Sequence, residues 1–228
     1  MVKLDMLLVD SGELDLNDRN EKRFMGRVSD AKEKLMEAVE ELIWTGSYGT
    51  TTIDQICEKA GVKKGSFYYF FDSKSDLAVE ALEVGWKEKK AELDQIFSAT
   101  VPPLDRLRKH CEFMYHLQEK IQKQCGRVLG CPIFCLGSEV STQEDRLQVK
   151  LQGILENKRK YLESAIRDAH AQGLIHAPDA AAKSRCLFVY YEGLLTQARI
   201  QNSLEILREA IHGTFGLLGV KEPAEIAA

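Results

Sequence analysis

Positions 61 to 71 read GVKKGSFYYFF, which crowds two lysines, a small hydroxyl and a pair of phenols into about three helical turns. Lys63 and Lys64 supply positive charge. Gly65 carries no side chain, so the backbone there can come close to a phosphate or a base. The Ser66 hydroxyl both donates and accepts. Tyr68 and Tyr69 each offer a phenol to a phosphate oxygen, while the ring packs on a sugar or a thymine methyl. Five aromatic residues in a row cannot all face one core. Val62, Phe67 and Phe71 therefore turn inward and leave the phenols outside.

Such a surface needs a base to stand on. The residues before it supply one. Leu35, Val39, Leu42 and Ile43 fall on one stripe of a helix running from Asp30 to Gly46. Thr52 is a good N-cap for a short second helix with Ile53, Ile56 and Ala60 on its inner face, and Gly61 closes it. A third helix runs from Lys63 to Phe71, and Ser73 caps a long fourth one over 74–99. Two short helices joined through Gly61-Val62 make a helix-turn-helix, whose last helix enters the DNA major groove by its N-terminal residues. Thr51 and Thr52 lie at a helix N-terminus, which offers free N–H groups to a phosphate. Lys74 opens the fourth helix beside the same face. Residues 59–74 hold four lysines and one acidic residue.

That basic face is local, because the 228-residue chain has a net charge of −4 and 44% hydrophobic residues. No apolar run approaches the roughly 18 residues that cross a bilayer. The first residues also lack a signal peptide's basic flank and cleavage site. A cytoplasmic protein without a membrane partner is expected. Six cysteines without a C-x-x-C pair read as small buried hydrophobes, and no metal-ligand spacing occurs. No cofactor is called for. G-x-S-x-G, H-E-x-x-H, P-loop and dinucleotide patterns are missing, which leaves a helical enzyme with no identifiable catalytic residue. A helical interaction module that ignores DNA leaves the lysine–tyrosine face without a purpose. The spacing predicts further helices over 104–124, 142–172, 179–200 and 203–218, with a loop at 126–140 that has room for one short helical piece. The fold class is all-α: a flexible arm at 1–28, a DNA-binding domain at 29–75 and a larger domain at 76–228.

Residues 30–77, and above all TTIDQICEKAGVKKGSFYYFFDSKSDL, closely resemble the N-terminal domain of TetR-family transcriptional regulators. The shared features are the threonine-rich start, the isoleucine–alanine stripe, Gly-Val, Lys-Gly-Ser, an aromatic–Tyr pair, a phenylalanine and Ser-Lys-x-x-Leu. The resemblance implies a homodimer that binds a palindromic DNA operator, usually as a repressor, and a C-terminal domain that takes a small effector and then releases DNA. Carried onto this chain, the DNA contacts are Thr51, Thr52, Lys63, Lys64, Gly65, Ser66, Tyr68, Tyr69 and Lys74. Lys63 and Ser66 sit nearest the bases, and Lys64, Tyr69 and Lys74 hold phosphates. The family often has two histidines where this chain has Tyr69 and Phe70, and proline where it has Asp72. Tyr69 still reaches a phosphate, whereas Phe70 is expected to pack.

The C-terminal residues suggest where two subunits meet. CLFVYY at 186–191 is apolar or aromatic on every side of a helix, and such a helix must be covered all round. Phe188, Tyr191, Leu195, Leu204, Leu207, Ile211 and Phe215 are the expected dimer contacts, in a four-helix bundle about a two-fold axis. Trp86, Phe113, Met114, His116, Phe134, Tyr161 and Tyr190 are the expected effector pocket. An alternative is a thiol- or metal-responsive regulator acting through Cys125, Cys131 and Cys135.

Overall fold

The computed structural model describes residues 21–140 and 143–220, with side chains described from residue 30. The described residues hold no β-strand. Four helices come first, α1 (Glu21–Thr45), α2 (Ile53–Ala60), α3 (Lys64–Phe70) and α4 (Lys74–Ile96). After them come α5 (Pro103–Cys125), α6 (Pro132–Val140), α7 (Asp145–Ala171), α8 (Ala180–Gln201), a 3-10 turn (Glu205–Glu209) and α9 (Ala210–Leu218). Helix α1 begins earlier than the apolar stripe predicts. Residues 21–28 are its first turns rather than part of an arm, and residues 1–20 of that arm lie outside the described residues.

The first three helices and the start of α4 close over a small core of Leu35, Val39, Ile56, Phe67, Phe71, Leu77 and Ala81. A larger core joins α4, α5, α7, α8 and α9 through Leu107, Leu162, Ile166, Leu187, Tyr191 and Ala198. The two units share a third cluster, in which Tyr48 of the α1–α2 turn packs with Ala78, Leu136, Val140, Leu147 and Leu151. The short helical piece within the loop expected at 126–140 is α6, which starts at Pro132 and carries Leu136 and Val140 to Tyr48. Just before α6, the Leu129 carbonyl accepts from the Trp44 indole at the end of α1 (3.2 Å) and from Arg199 on α8 (2.7 Å).

The CLFVYY run of α8 is apolar or aromatic on every side, but the helix does not use every side alike. Tyr191 and Leu195 face inward, and Leu207 and Phe215 follow them into the protomer's own core, so these four expected dimer contacts are already covered. Phe188, Leu204 and Ile211 are half-buried. The outward side of α8 shows Cys186, Val189, Gly193 and Ile200, and α9 adds Leu217 beside it.

Candidate nucleic-acid interface

The second helix is fastened at both ends by its own sequence. The Thr52 hydroxyl accepts from the Gln55 amide (3.2 Å) and the Gln55 side chain accepts from the Thr52 amide (2.8 Å), a reciprocal capping box. At the other end Gly61 adopts φ 66°, a left-handed turn that costs glycine little, and the Val62 amide bonds back to the Cys57 carbonyl (3.0 Å). This turn swings the chain into α3 within three residues.

Phe67 and Phe71, 0% and 3% exposed, lock α3 onto the small core. That leaves Tyr68 and Tyr69 outside, at 55% and 74% exposure. Each phenol ring is steadied edge-on by a neighbour: Tyr68 by Phe67 (5.2 Å) and Tyr69 by Phe70 (4.8 Å). Phe70 packs against the small core, as the departure from the histidine pattern suggests. Lys63 and Gly65 are exposed, and nothing lies within 4 Å of where a Cβ on Gly65 would be. Ser66 is half-buried at the base of the same face. The Lys64 ammonium lies 2.8 Å from the Asp54 carboxylate of α2, whose hydrogen bond and charge push its pKa up. The exposed set is therefore Thr52, Lys63, Lys64, Gly65, Tyr68 and Tyr69.

Two expected contacts are turned away from this face. The Thr51 hydroxyl is buried and donates to the Ser47 carbonyl (2.6 Å). The Lys74 ammonium donates to the Tyr48 and Thr51 carbonyls (2.7 and 2.8 Å) and sits 4.0 Å from the Tyr48 ring centroid. Burial pushes its pKa down. Thr51 closes the α1–α2 turn on itself and Lys74 ties that turn to α4, instead of either meeting a phosphate. One participant has no counterpart in the sequence pattern: Glu139, on α6, accepts three hydrogen bonds from that same turn. An isolated acid some 90 residues away carries no local signal.

Four of the seven expected effector residues meet in one core and three stand apart. Trp86, Met114, Tyr161 and Tyr190 join the large core, while Phe113 is half-buried and His116 is exposed beside Glu119. Phe134 lines a separate cavity of about 210 Å³ between α6 and α7, with Gly137, Leu151 and Leu155. The cysteine trio is poorly suited to ready oxidation. Burial pushes the Cys131 thiol up to about 11 and raises that of Cys135, which disfavours the reactive thiolate. Cys125 donates to the Ile121 carbonyl (3.1 Å). Among the described residues no cluster of histidine, cysteine and carboxylate could hold a metal ion, and no helix is long and apolar enough to cross a membrane.

Comparison with known proteins places these features in company. The family described as bacterial regulatory proteins, tetR family, matches residues 35–81, and the tetracyclin repressor-like C-terminal domain matches 103–214. The transcriptional regulator AcuR of Cereibacter sphaeroides is 30% identical over 193 residues, spanning 82% of this chain and 84% of that protein. The transcriptional repressor NemR of Escherichia coli K12 is 25% identical over 191 residues, 80% of this chain and 90% of its own. Among solved structures, the regulatory protein TetR from Rhodobacter sphaeroides superposes with a TM-score of 0.71 at 27% identity, covering 81% of this chain and 96% of that one.

Proposed function

The chain belongs to the tetR family of bacterial regulatory proteins and is a DNA-binding transcriptional regulator; from that premise we propose a homodimeric repressor that reads a palindromic operator and lets go when a small molecule enters its C-terminal domain. The observation that carries this reading is α3 itself: a short helix, pinned by two buried phenylalanines, that presents amines and phenols to solvent. In an otherwise acidic chain, that face has no other evident use. Lys63 reads base edges in the major groove, Gly65 admits the backbone, and Lys64, Tyr68, Tyr69 and the Thr52 end of α2 hold phosphates.

The dimer contact is the outward stripe of α8, Val189, Gly193 and Ile200, continued by Leu217 of α9. Val189 and Ile200 are 69% and 79% exposed, which is unusual for β-branched apolar residues on a well-packed helix. A two-fold axis through this stripe makes an isologous four-helix contact. The repressor sign follows the name borne by the NemR relative. The protein works in the cytoplasm, where its DNA is.

The effector site is better marked by unmet polar groups than by aromatic rings. His110 Nδ1, Glu192 Oε2 and Glu92 Oε2 are buried without a hydrogen-bond partner, and the half-buried Lys158 ammonium lies 3.3 Å from Glu192. Unpaired buried polar atoms each cost about 1–3 kcal/mol. A ligand that supplied their partners would recover that energy in the bound state alone. The test is selection of bound fragments from the source genome, followed by gel shifts at rising salt. Each phosphate contact should steepen the fall of log affinity with log salt by about 0.9. A chain that stays monomeric at working concentration and ignores every duplex at low salt defeats the proposal.

A further inference from the structure

The turn between α1 and α2 is gripped from outside its own domain. On the last turn of α6, the Glu139 carboxylate accepts from the Ser47 hydroxyl (2.8 Å), the Tyr48 amide (3.0 Å) and the Gly49 amide (2.7 Å). These are three donors from three successive residues on one ionised acceptor, the stronger class of hydrogen bond. Burial alone would raise the pKa of this carboxyl, yet the donors outweigh it and hold the group below the usual carboxylate range. Lys74 of α4 binds the carbonyls of the same turn. The Tyr48 ring is clamped between Leu136, Val140 and Leu147, and its hydroxyl donates to Glu144 (3.3 Å).

The turn matters because the DNA-facing helices hang from it. Thr52 begins α2 directly afterwards, and α2 passes to α3 through Gly61-Val62 with no slack. Wherever residues 47–51 are held, that pair of helices is held too. The other end of α6 is rooted in the large domain. There the Gln118 side chain accepts from the Leu129 and Gly130 amides (3.2 and 2.8 Å) and donates to the Gly130 carbonyl (3.1 Å). Nine residues of helix make α6 a strut about 13 Å long.

We infer that Glu139 is a positioning residue for DNA binding: reaching out of the C-terminal domain, its carboxylate fixes the 47–49 turn and so sets α2 and α3 in the pose that meets DNA. Glu139 itself touches no DNA. The inference rests on the family's DNA-binding role, not on an effector or a palindrome. Movement of the α6 strut would reach the DNA-facing helices through this carboxylate, together with the packing of Leu136 and Val140 on Tyr48.

The test uses the full chain and genomic fragments selected with the wild-type protein. Glu139→Gln keeps the size and removes the charge. The expected result is faster hydrogen exchange at the Tyr48 and Gly49 amides and roughly tenfold weaker DNA affinity, the scale of one charge-assisted hydrogen bond. Lys150→Gln, which breaks a different link between α7 and α4, should leave both within about twofold. Gly49→Ala attacks the contact from the other side, because a Cβ there comes 3.1 Å from Glu139 Oε1. If the two changes act through one contact, the double variant loses little more than the worse single one. Unchanged affinity in Glu139→Gln, unchanged exchange at both amides, or fully additive losses each overturn the inference. Should Glu139→Gln fail to fold by circular dichroism, Gly49→Ala decides alone, and full affinity there overturns it. A wild-type chain that selects no fragment at all would instead sink the DNA-binding role.

Discussion

Mild acid should reveal a buried histidine and a half-buried glutamate that work against each other. His110 lies in the large core between the Phe97 and Tyr191 rings, and burial, helped by the Lys158 charge, pushes its pKa down to about 3. Glu40, on α1, is driven the other way, to about 7, by burial against the opposing pull of Lys89. Between about pH 5 and pH 6 the unfolded chain carries a proton on histidine that folded His110 refuses, so this group makes stability rise with pH. Over the same interval folded Glu40 keeps a proton that the unfolded chain has largely released, so this group makes stability fall with pH. A full proton of difference is worth about 1.4 kcal/mol per pH unit. With ordinary values of 6.5 and 4.5 in the unfolded chain, each group contributes about 1.2 kcal/mol across that unit, with opposite sign. The wild-type urea midpoint should therefore change little from pH 5 to pH 6, at fixed protein concentration so that any dimer linkage is constant. Glu40→Gln should uncover a rise of about 1 kcal/mol with pH, and His110→Leu a fall of the same size. A flat profile in both variants would show that neither group is held off its ordinary value and would refute opposed burial as the cause of the wild-type plateau.

Other expectations concern the interfaces and the core beneath them. Asp54→Asn frees the Lys64 ammonium, so affinity for duplexes of any sequence should rise by roughly two- to fivefold with a steeper salt slope; anisotropy titrations at several salt concentrations would expose an unchanged slope. Val189→Glu places a charge in the outward α8 stripe and should yield a monomer with lost operator affinity, and a dimer persisting in sedimentation equilibrium would rule the stripe out as the subunit contact. Phe67→Ala empties a fully buried site and should cost about 3–5 kcal/mol of N-terminal-domain stability together with DNA binding; urea unfolding followed through that domain would contradict this if the midpoint did not move.

What the sequence discloses is local. Thr52, Gly61, Ser73 and Asp179 all cap the helices expected of them, because a cap is written within three or four residues. Helix α6 reads as no more than a short helical piece in a loop of unmarked bounds, since GRVLGCPIFCLGSEV is rich in glycine and too short to show a period. The start of α1 is hidden for a related reason: EKRFMGRV forms helix without an apolar stripe to announce it. Long-range choices leave no trace. Lys74 looks like a phosphate ligand, but it bonds a carbonyl 26 residues earlier, and nothing in its neighbours says so. The α8 run CLFVYY reads as a helix to be covered on every side, and does not say which side its own subunit covers. Pattern alone therefore assigns four core residues to the partner.

The carbonyl of Leu129 serves two masters. One hydrogen bond ties it to the indole closing the first helix, the other to a guanidinium on the helix whose outer stripe is proposed to join two subunits. A peptide oxygen survives every side-chain replacement at its own position, so drift in the gene cannot easily sever this joint. Tugging on either donor alters what the other can hold, so the end of the first helix and α8 are joined through a single atom that no point mutation at residue 129 erases.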